Sequence, residues 1–179
     1  MKNIDLQIDS YCVYKFHGVG KIKDIQEITI GHYKTKCFIV YFENEKLTLS
    51  IPQNQLDKGD LRHLSSPEIM EEVFFILRNG TTKIKGMWSR RAKEYEEKIN
   101  SGDITLVTEV LRDLTRDIDN ADRSYSERII YETALYRLSS EYAAINNLDY
   151  EIAKTKILEI SKEKIKFVET SELTKVEVA

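Results

Sequence analysis

Apolar and polar residues alternate along the first third of the chain, which is the pattern of half-buried β-strands. The clearest example is the run in which Leu47, Leu49 and Ile51 alternate with polar residues. Pro52 follows it and marks either the end of a strand or an exposed edge. Further strands are predicted at 11–16, 21–30 and 38–42, with a turn at 17–20. Residues 1–64 are therefore predicted to form a small β-domain, a barrel or half-barrel.

From Ser65 onward the apolar residues recur every three or four positions, which predicts helices. Ser65 and Glu68 form a predicted capping box, and Pro67 suits a first helical turn. A first helix is predicted from the Ser65 cap to about Asn79-Gly80, and further helices at about 89–101, 103–114, 124–146 and 149–168. The predicted fold class is thus α+β with two domains, the second an all-α domain over 65–168. Residues 169–179 are polar and predict a flexible tail.

The overall composition places limits on the class of protein. The formal net charge is −3, whereas a free-standing nucleic-acid-binding protein is usually basic. No apolar run approaches the ~20 residues of a membrane span, so no membrane partner is expected. The start of the chain lacks the apolar stretch of a secretory signal, and the two cysteines, Cys12 and Cys37, lie in separate segments. A cytoplasmic location with two buried, reduced thiols is expected.

One stretch departs from this acidic background. Six basic side chains and no acidic one lie between residues 78 and 93, and the only tryptophan of the chain lies among them. They are Arg78, Lys83, Lys85, Arg90, Arg91 and Lys93, around Trp88. Cations suit a phosphate backbone and a flat apolar ring suits a base step, so the stretch is a candidate DNA-binding site.

Trp88 also has a purely structural interpretation. Trp88, Ala92, Tyr95 and Ile99 have the spacing of one helix face, and a tryptophan on such a face is more often part of the core. However, Gly86 precedes it closely, which places Trp88 at the start of the helix. Sequence alone leaves both the core and the exposed wedge open.

The chemistry of enzymes and metal sites is not indicated by any motif. The run from His17 to Gly20 lacks the spacing of a phosphate-binding loop, and a tight turn explains it. His17, His32 and His63 have no cysteine or carboxylate at ligand spacing. No nucleophile motif is found. We therefore expect no catalytic residues, no metal, no cofactor and no small-molecule substrate.

The first half of the chain carries one set of motifs: Tyr14, the run His17–Gly20 and the hairpin that ends in Pro52. The second half carries a more specific set: Met87-Trp88-Ser89-Arg90-Arg91, Ser101-Gly102-Asp103, Arg112-Asp113-Leu114 and Ser124-Tyr125-Ser126-Glu127-Arg128. By these motifs, both halves resemble the CarD/CdnL family of bacterial transcription regulators. The N-terminal module of this family also occurs in the transcription-repair coupling factor.

The resemblance implies a non-enzymatic regulator that stabilises the open promoter complex. A Tudor-like β-domain would bind the RNA polymerase β subunit, and the helical domain would contact promoter DNA at the upstream edge of the bubble, in the minor groove and without sequence specificity. The implied DNA-contacting residues are Trp88, Arg90, Arg91, Lys93, Lys85 and Lys83. The implied polymerase-binding residues are Val40, Ser50, Ile51 and Pro52. Lys15 and Ser50 depart from the residues usual in the family.

Two other classes of function stay open at this point. In the first, the protein is a protein–protein adaptor, Trp88 belongs to the core and DNA is not contacted. In the second, which the residues favour least, carboxylates on the helices serve a small enzyme.

Overall fold

The predicted strands form one antiparallel sheet in the computed structural model, which describes residues 6–79, 86–115 and 124–162. The chain divides into two units, Met1–Ser65 and Ser66–Ala179. The sheet lies in the first unit and has the strand order β4-β3-β2-β1-β5. Its strands are β1 (Tyr11–Tyr14), β2 (Gly18–Ile30), β3 (Tyr33–Phe42), β4 (Leu47–Pro52) and β5 (Leu61–Arg62). A short helix, α1 (Asn54–Asp57), precedes β5.

The alternation of the sequence produces one strongly buried face. In β3, Phe38, Val40 and Phe42 are buried, while Ile39 and Tyr41 between them are half-buried. The core of this unit comprises Leu6, Cys12, Ile22, Phe38, Val40, Phe42, Ile51, Leu56 and Leu61. Both thiols are free and buried, as the sequence predicted.

The turn predicted at 17–20 is wrong in detail. The turn occupies residues 15–17, and Gly18 and Gly20 already belong to β2. A Cβ atom on Gly20 would overlap the side chain of Val40 and approach Phe42 to 2.8 Å. This glycine therefore allows close packing across the sheet, and turn geometry is not its reason.

The second unit is helical, and its elements follow the predicted periodicity. The helices are α2 (Pro67–Arg78), α3 (Trp88–Asn100), α4 (Ile104–Thr115), α5 (Tyr125–Asn146) and α6, helical over 150–162. The predicted last helix extended to 168, and its end lies outside the described residues, as does the predicted tail. The core includes Val73, Leu77, Tyr95, Ile99, Val107, Leu111, Leu114, Ala134, Leu138 and Ile157. The two-domain α+β fold class is thus confirmed.

The ends of the helices are fixed by polar side chains. Asp103 Oδ1 accepts a hydrogen bond from Thr105 N at 2.8 Å, and Ser124 Oγ accepts one from Glu127 N at 3.2 Å. The capping box predicted for Ser65 is displaced by one residue. Ser66 is the N-cap of α2, and Ser65 is buried. Two adjacent serines before Pro67 made the sequence signal ambiguous.

Candidate nucleic-acid interface and free sheet edge

Helix α3 begins at Trp88, within the basic stretch. Its N-cap residue, Met87, makes no side-chain hydrogen bond to the helix, and the first turn contains no acidic residue. The amides of Arg90 and Arg91 bond to the Met87 carbonyl at 3.1 and 3.2 Å. The backbone N–H groups of the first turn that precede Arg90, together with the side chains of Arg90 and Arg91, give this helix end a positive potential. A positive potential suits an anionic partner.

Trp88 lies at the border of the core. Its ring is partly buried and packs against the helical core, with the ring centroid 6.4 Å from that of buried Tyr95. The indole Nε1–H donates a hydrogen bond to Ser126 Oγ at 2.8 Å, which links the starts of α3 and α5. The residue therefore combines features of the two interpretations left open by the sequence.

Three of the implied DNA-contacting cations are described, and they are not equivalent. Arg90 and Lys93 are exposed. Arg91 is half-buried, and its guanidinium carbon lies 5.5 Å from the Trp88 ring centroid and 5.9 Å from that of Tyr95. Burial raises the pKa of the Tyr95 hydroxyl, and the positive charge of Arg91 opposes this shift. Arg91 is thus a cation–π partner of the aromatic pair, while Arg90 and Lys93 are free to meet a ligand.

Lys83 and Lys85 lie outside the described residues, so their role in the site stays a prediction.

Ser126 was missed by sequence reasoning, since 38 residues separate it from Trp88. Two strongly exposed apolar residues adjoin this bonded pair in sequence: Met87 is 77% exposed and Tyr125 is 78% exposed. The serine-rich start of α5 was visible in sequence only as a helix cap.

Of the predicted polymerase-binding residues, Ser50, Ile51 and Pro52 lie on the edge strand β4, whereas Val40 lies on its neighbour β3. Strand β4 is an end strand of the sheet and pairs only with β3 in the described part of the chain. Val40 and Ile51 are buried in the core, at 0% and 3% exposure. Ser50 is exposed and Pro52 half-buried. A partner's side chains could therefore contact Ser50 and Pro52, whereas Val40 and Ile51 support the strand from within.

The backbone of β4 has a defined free side. Gln53 N donates to Lys36 O at 2.8 Å, just beyond the pairing of Cys37 with Pro52. Hydrogen-bonded and non-hydrogen-bonded pairs alternate along an antiparallel ladder. The pairs at Thr48 and Ser50 are therefore non-hydrogen-bonded, and their backbone N–H and C=O groups point away from β3. This row can accept a further strand.

Among residues 6–79, 86–115 and 124–162, no three His, Cys, Asp or Glu residues are grouped so that they could hold a metal ion. Within the same ranges, no helix has the length and apolar character needed to span a membrane.

Both units match known domains of one family. Residues 6–65 match the CarD-like/TRCF RID domain, and residues 72–158 match the CarD C-terminal domain. The chain is also similar to YdeB of Bacillus subtilis (strain 168), whose name describes it as a candidate transcription factor. The two are 26% identical over 142 residues, which cover 79% of this chain and 93% of the relative.

Proposed function

The chain belongs to the CarD/CdnL family of transcription regulators, and from this premise we propose that it binds the RNA polymerase β subunit and stabilises the open promoter complex. In this proposal it is not an enzyme. The observation that carries the proposal is the start of α3, where the partly exposed Trp88 ring stands beside exposed Arg90 and Lys93. The free edge of β4 would supply the polymerase contact.

The charge of the protein explains why two contacts are needed. A protein of net charge −3 with a small basic site should bind free DNA no more tightly than the ~10⁻⁴–10⁻⁶ M of non-specific binding. A contact with polymerase holds the site near promoter DNA at an effective concentration of about millimolar. A weak DNA contact is then sufficient.

The aromatic ring would act where the duplex is already opening. Unstacking one base step costs a few kcal/mol, and least where the bases are already unpaired. A ring that inserts there interacts with the melted promoter and not with the closed one. This difference in affinity shifts the population toward the open complex. Arg90 and Lys93 would hold the adjacent phosphates.

The test is the open-complex lifetime with Trp88→Ala. Stacking of a base on an aromatic ring is worth ~1–3 kcal/mol, so we expect a lifetime about five- to hundredfold shorter. Because Trp88 is partly buried, truncation should also cost about 1–3 kcal/mol of folding stability, less than the ~3–5 kcal/mol of a fully buried tryptophan. The assay temperature must therefore be chosen from thermal melts of the wild type and Trp88→Ala, so that both are folded in the assay.

A variant that loses some folding stability but keeps the site intact serves as the control. Ile157 is fully buried in the helical core, and Ile157→Val should cost about 0.5–1.5 kcal/mol. A wild-type lifetime with Ile157→Val and a shortened one with Trp88→Ala would support the proposal. If the two variants behaved alike at matched stability, Trp88 would have no role at the DNA.

The second candidate is a protein–protein adaptor that does not contact DNA. The contact of Trp88 with the helical core and its bond to Ser126 favour it, because both give the ring a structural task. In that case polymerase would still bind, but Trp88→Ala would change stability alone.

A further inference from the structure

Ser126 is the polar partner of the only indole in the protein, and the N-cap bond of its own helix is made by another serine. It is an exposed residue in the first turn of α5. The capping of that helix is performed by Ser124, whose Oγ accepts from Glu127 N at 3.2 Å. The Oγ atoms of Ser124 and Ser126 lie 3.1 Å apart. Ser126 is thus held on a capped helix end, with its oxygen turned to Trp88 Nε1 at 2.8 Å.

We propose that Ser126 is a positioning residue that fixes the orientation of the Trp88 ring for its contact with DNA. This inference rests on the proposed function. Trp88 is the first residue of α3, so no preceding helical turn of α3 packs against its side chain. An indole that is only partly packed could adopt other rotamers, which would have to be given up on binding. The bond from α5 fixes the ring edge before DNA arrives.

Arg91 and Ser126 restrict different motions of the ring. Arg91 lies over the ring, with its guanidinium carbon 5.5 Å from the centroid, and interacts with the π face. A half-turn of the ring about Cβ–Cγ would still present a π face to Arg91, but it would move Nε1 to the opposite edge. The directional bond from Nε1–H to Ser126 opposes that half-turn. Ser126 therefore supplies an orientation that the cation–π contact alone does not define.

The experiment compares full-length Ser126→Ala with Ser126→Thr, which keeps a hydroxyl. Thr133→Ala is the matched control, because the Thr133 hydroxyl bonds within α5, to Ile129 O at 2.8 Å. Trp88 gives the only indole N–H signal in an NMR spectrum of the free protein. We expect Ser126→Ala to shift this signal and to speed its hydrogen exchange. Ser126→Thr and Thr133→Ala should retain the wild-type signal.

The second measurement is the open-complex lifetime with polymerase on one promoter. We expect Ser126→Ala to shorten it about two- to tenfold, the change that one net hydrogen bond would produce, and Ser126→Thr to restore it. An unchanged indole signal in Ser126→Ala would overturn the inference. So would a wild-type lifetime in Ser126→Ala when Trp88→Ala shortens it, and the proposed function would then stand. If neither Ser126→Ala nor Trp88→Ala changed the lifetime, both the inference and the proposed function would be overturned.

Discussion

At the scale of single residues, Cys12 shows how burial controls chemistry. Its side chain is fully buried in the sheet unit, and its Sγ lies 3.6 Å from the Gly20 carbonyl oxygen. Burial disfavours the thiolate and raises the pKa of this thiol from 9.0 to about 12. The thiolate is the reactive form, so this cysteine is a packing residue and not a nucleophile.

The shift predicts how stability depends on pH. An unfolded chain ionises this thiol near pH 9, while the folded protein keeps it protonated up to about pH 12. The contribution of Cys12 to the free energy of unfolding is therefore complete below pH 9 and declines as the pH rises from 9 toward 12. Urea unfolding of wild type and Cys12→Ala should show this as a difference between the two proteins that shrinks in that range. A difference independent of pH up to 12 would contradict it.

At the scale of elements, Gly20 ties β2 to β3. Replacing it with alanine places a methyl group against Val40 and Phe42, so we expect overpacking to cost ~1–3 kcal/mol. Chemical denaturation measures this, with Thr29→Ala, at an exposed position of the same strand, as control. Adding Val40→Ala to Gly20→Ala makes room for the methyl group. The double variant should then lose less folding stability than the two single variants lose together. Strict additivity of the two losses would refute the contact.

The free side of β4 yields a second prediction at this scale. Because the Ser50 N–H points away from β3, Ser50→Pro removes a donor from the edge without breaking the ladder, and proline is tolerated at such positions. We expect this change to abolish binding to the polymerase β subunit, while Ser50→Ala, which keeps the N–H, binds normally. Affinity would be measured by pull-down and titration, after melts show that both variants are folded. Normal binding by Ser50→Pro would exclude strand addition at this edge.

Periodicity identified the long elements because each repeats its pattern several times. The face of Ala92, Tyr95 and Ile99 and the stepping of α4 are confirmed for that reason. The elements α1 and β5 have only four and two residues, too few to show any period. Ser126 could not be found because its bond to Trp88 depends on how α3 and α5 pack. Local patterns carry no information about such long-range pairs.

At the scale of the whole molecule, the distribution of charge explains why the proposed function needs both units. The protein as a whole is acidic, but the start of α3 carries exposed Arg90 and Lys93 and no acidic residue in its first turn. In the proposed function, long-range repulsion between the protein and DNA would be overcome by a short-range contact and by tethering. The polymerase contact would set whether the site reaches DNA, and the two cations would set how strongly the DNA contact depends on salt.

This division of roles predicts the result of removing single cations. Arg90→Ala and Lys93→Ala should each weaken the open-complex effect on all promoters alike and lower the salt slope by about one unit, because each phosphate contact releases about one counterion. Lys58→Ala, an exposed cation of the sheet unit, should leave the slope unchanged. Arg91→Ala should instead lower stability, since its guanidinium lies against Trp88 and Tyr95. The slope is obtained from lifetimes at several salt concentrations on two unrelated promoters. A promoter-selective loss with an unchanged slope would mean that Arg90 and Lys93 read bases and do not hold phosphates.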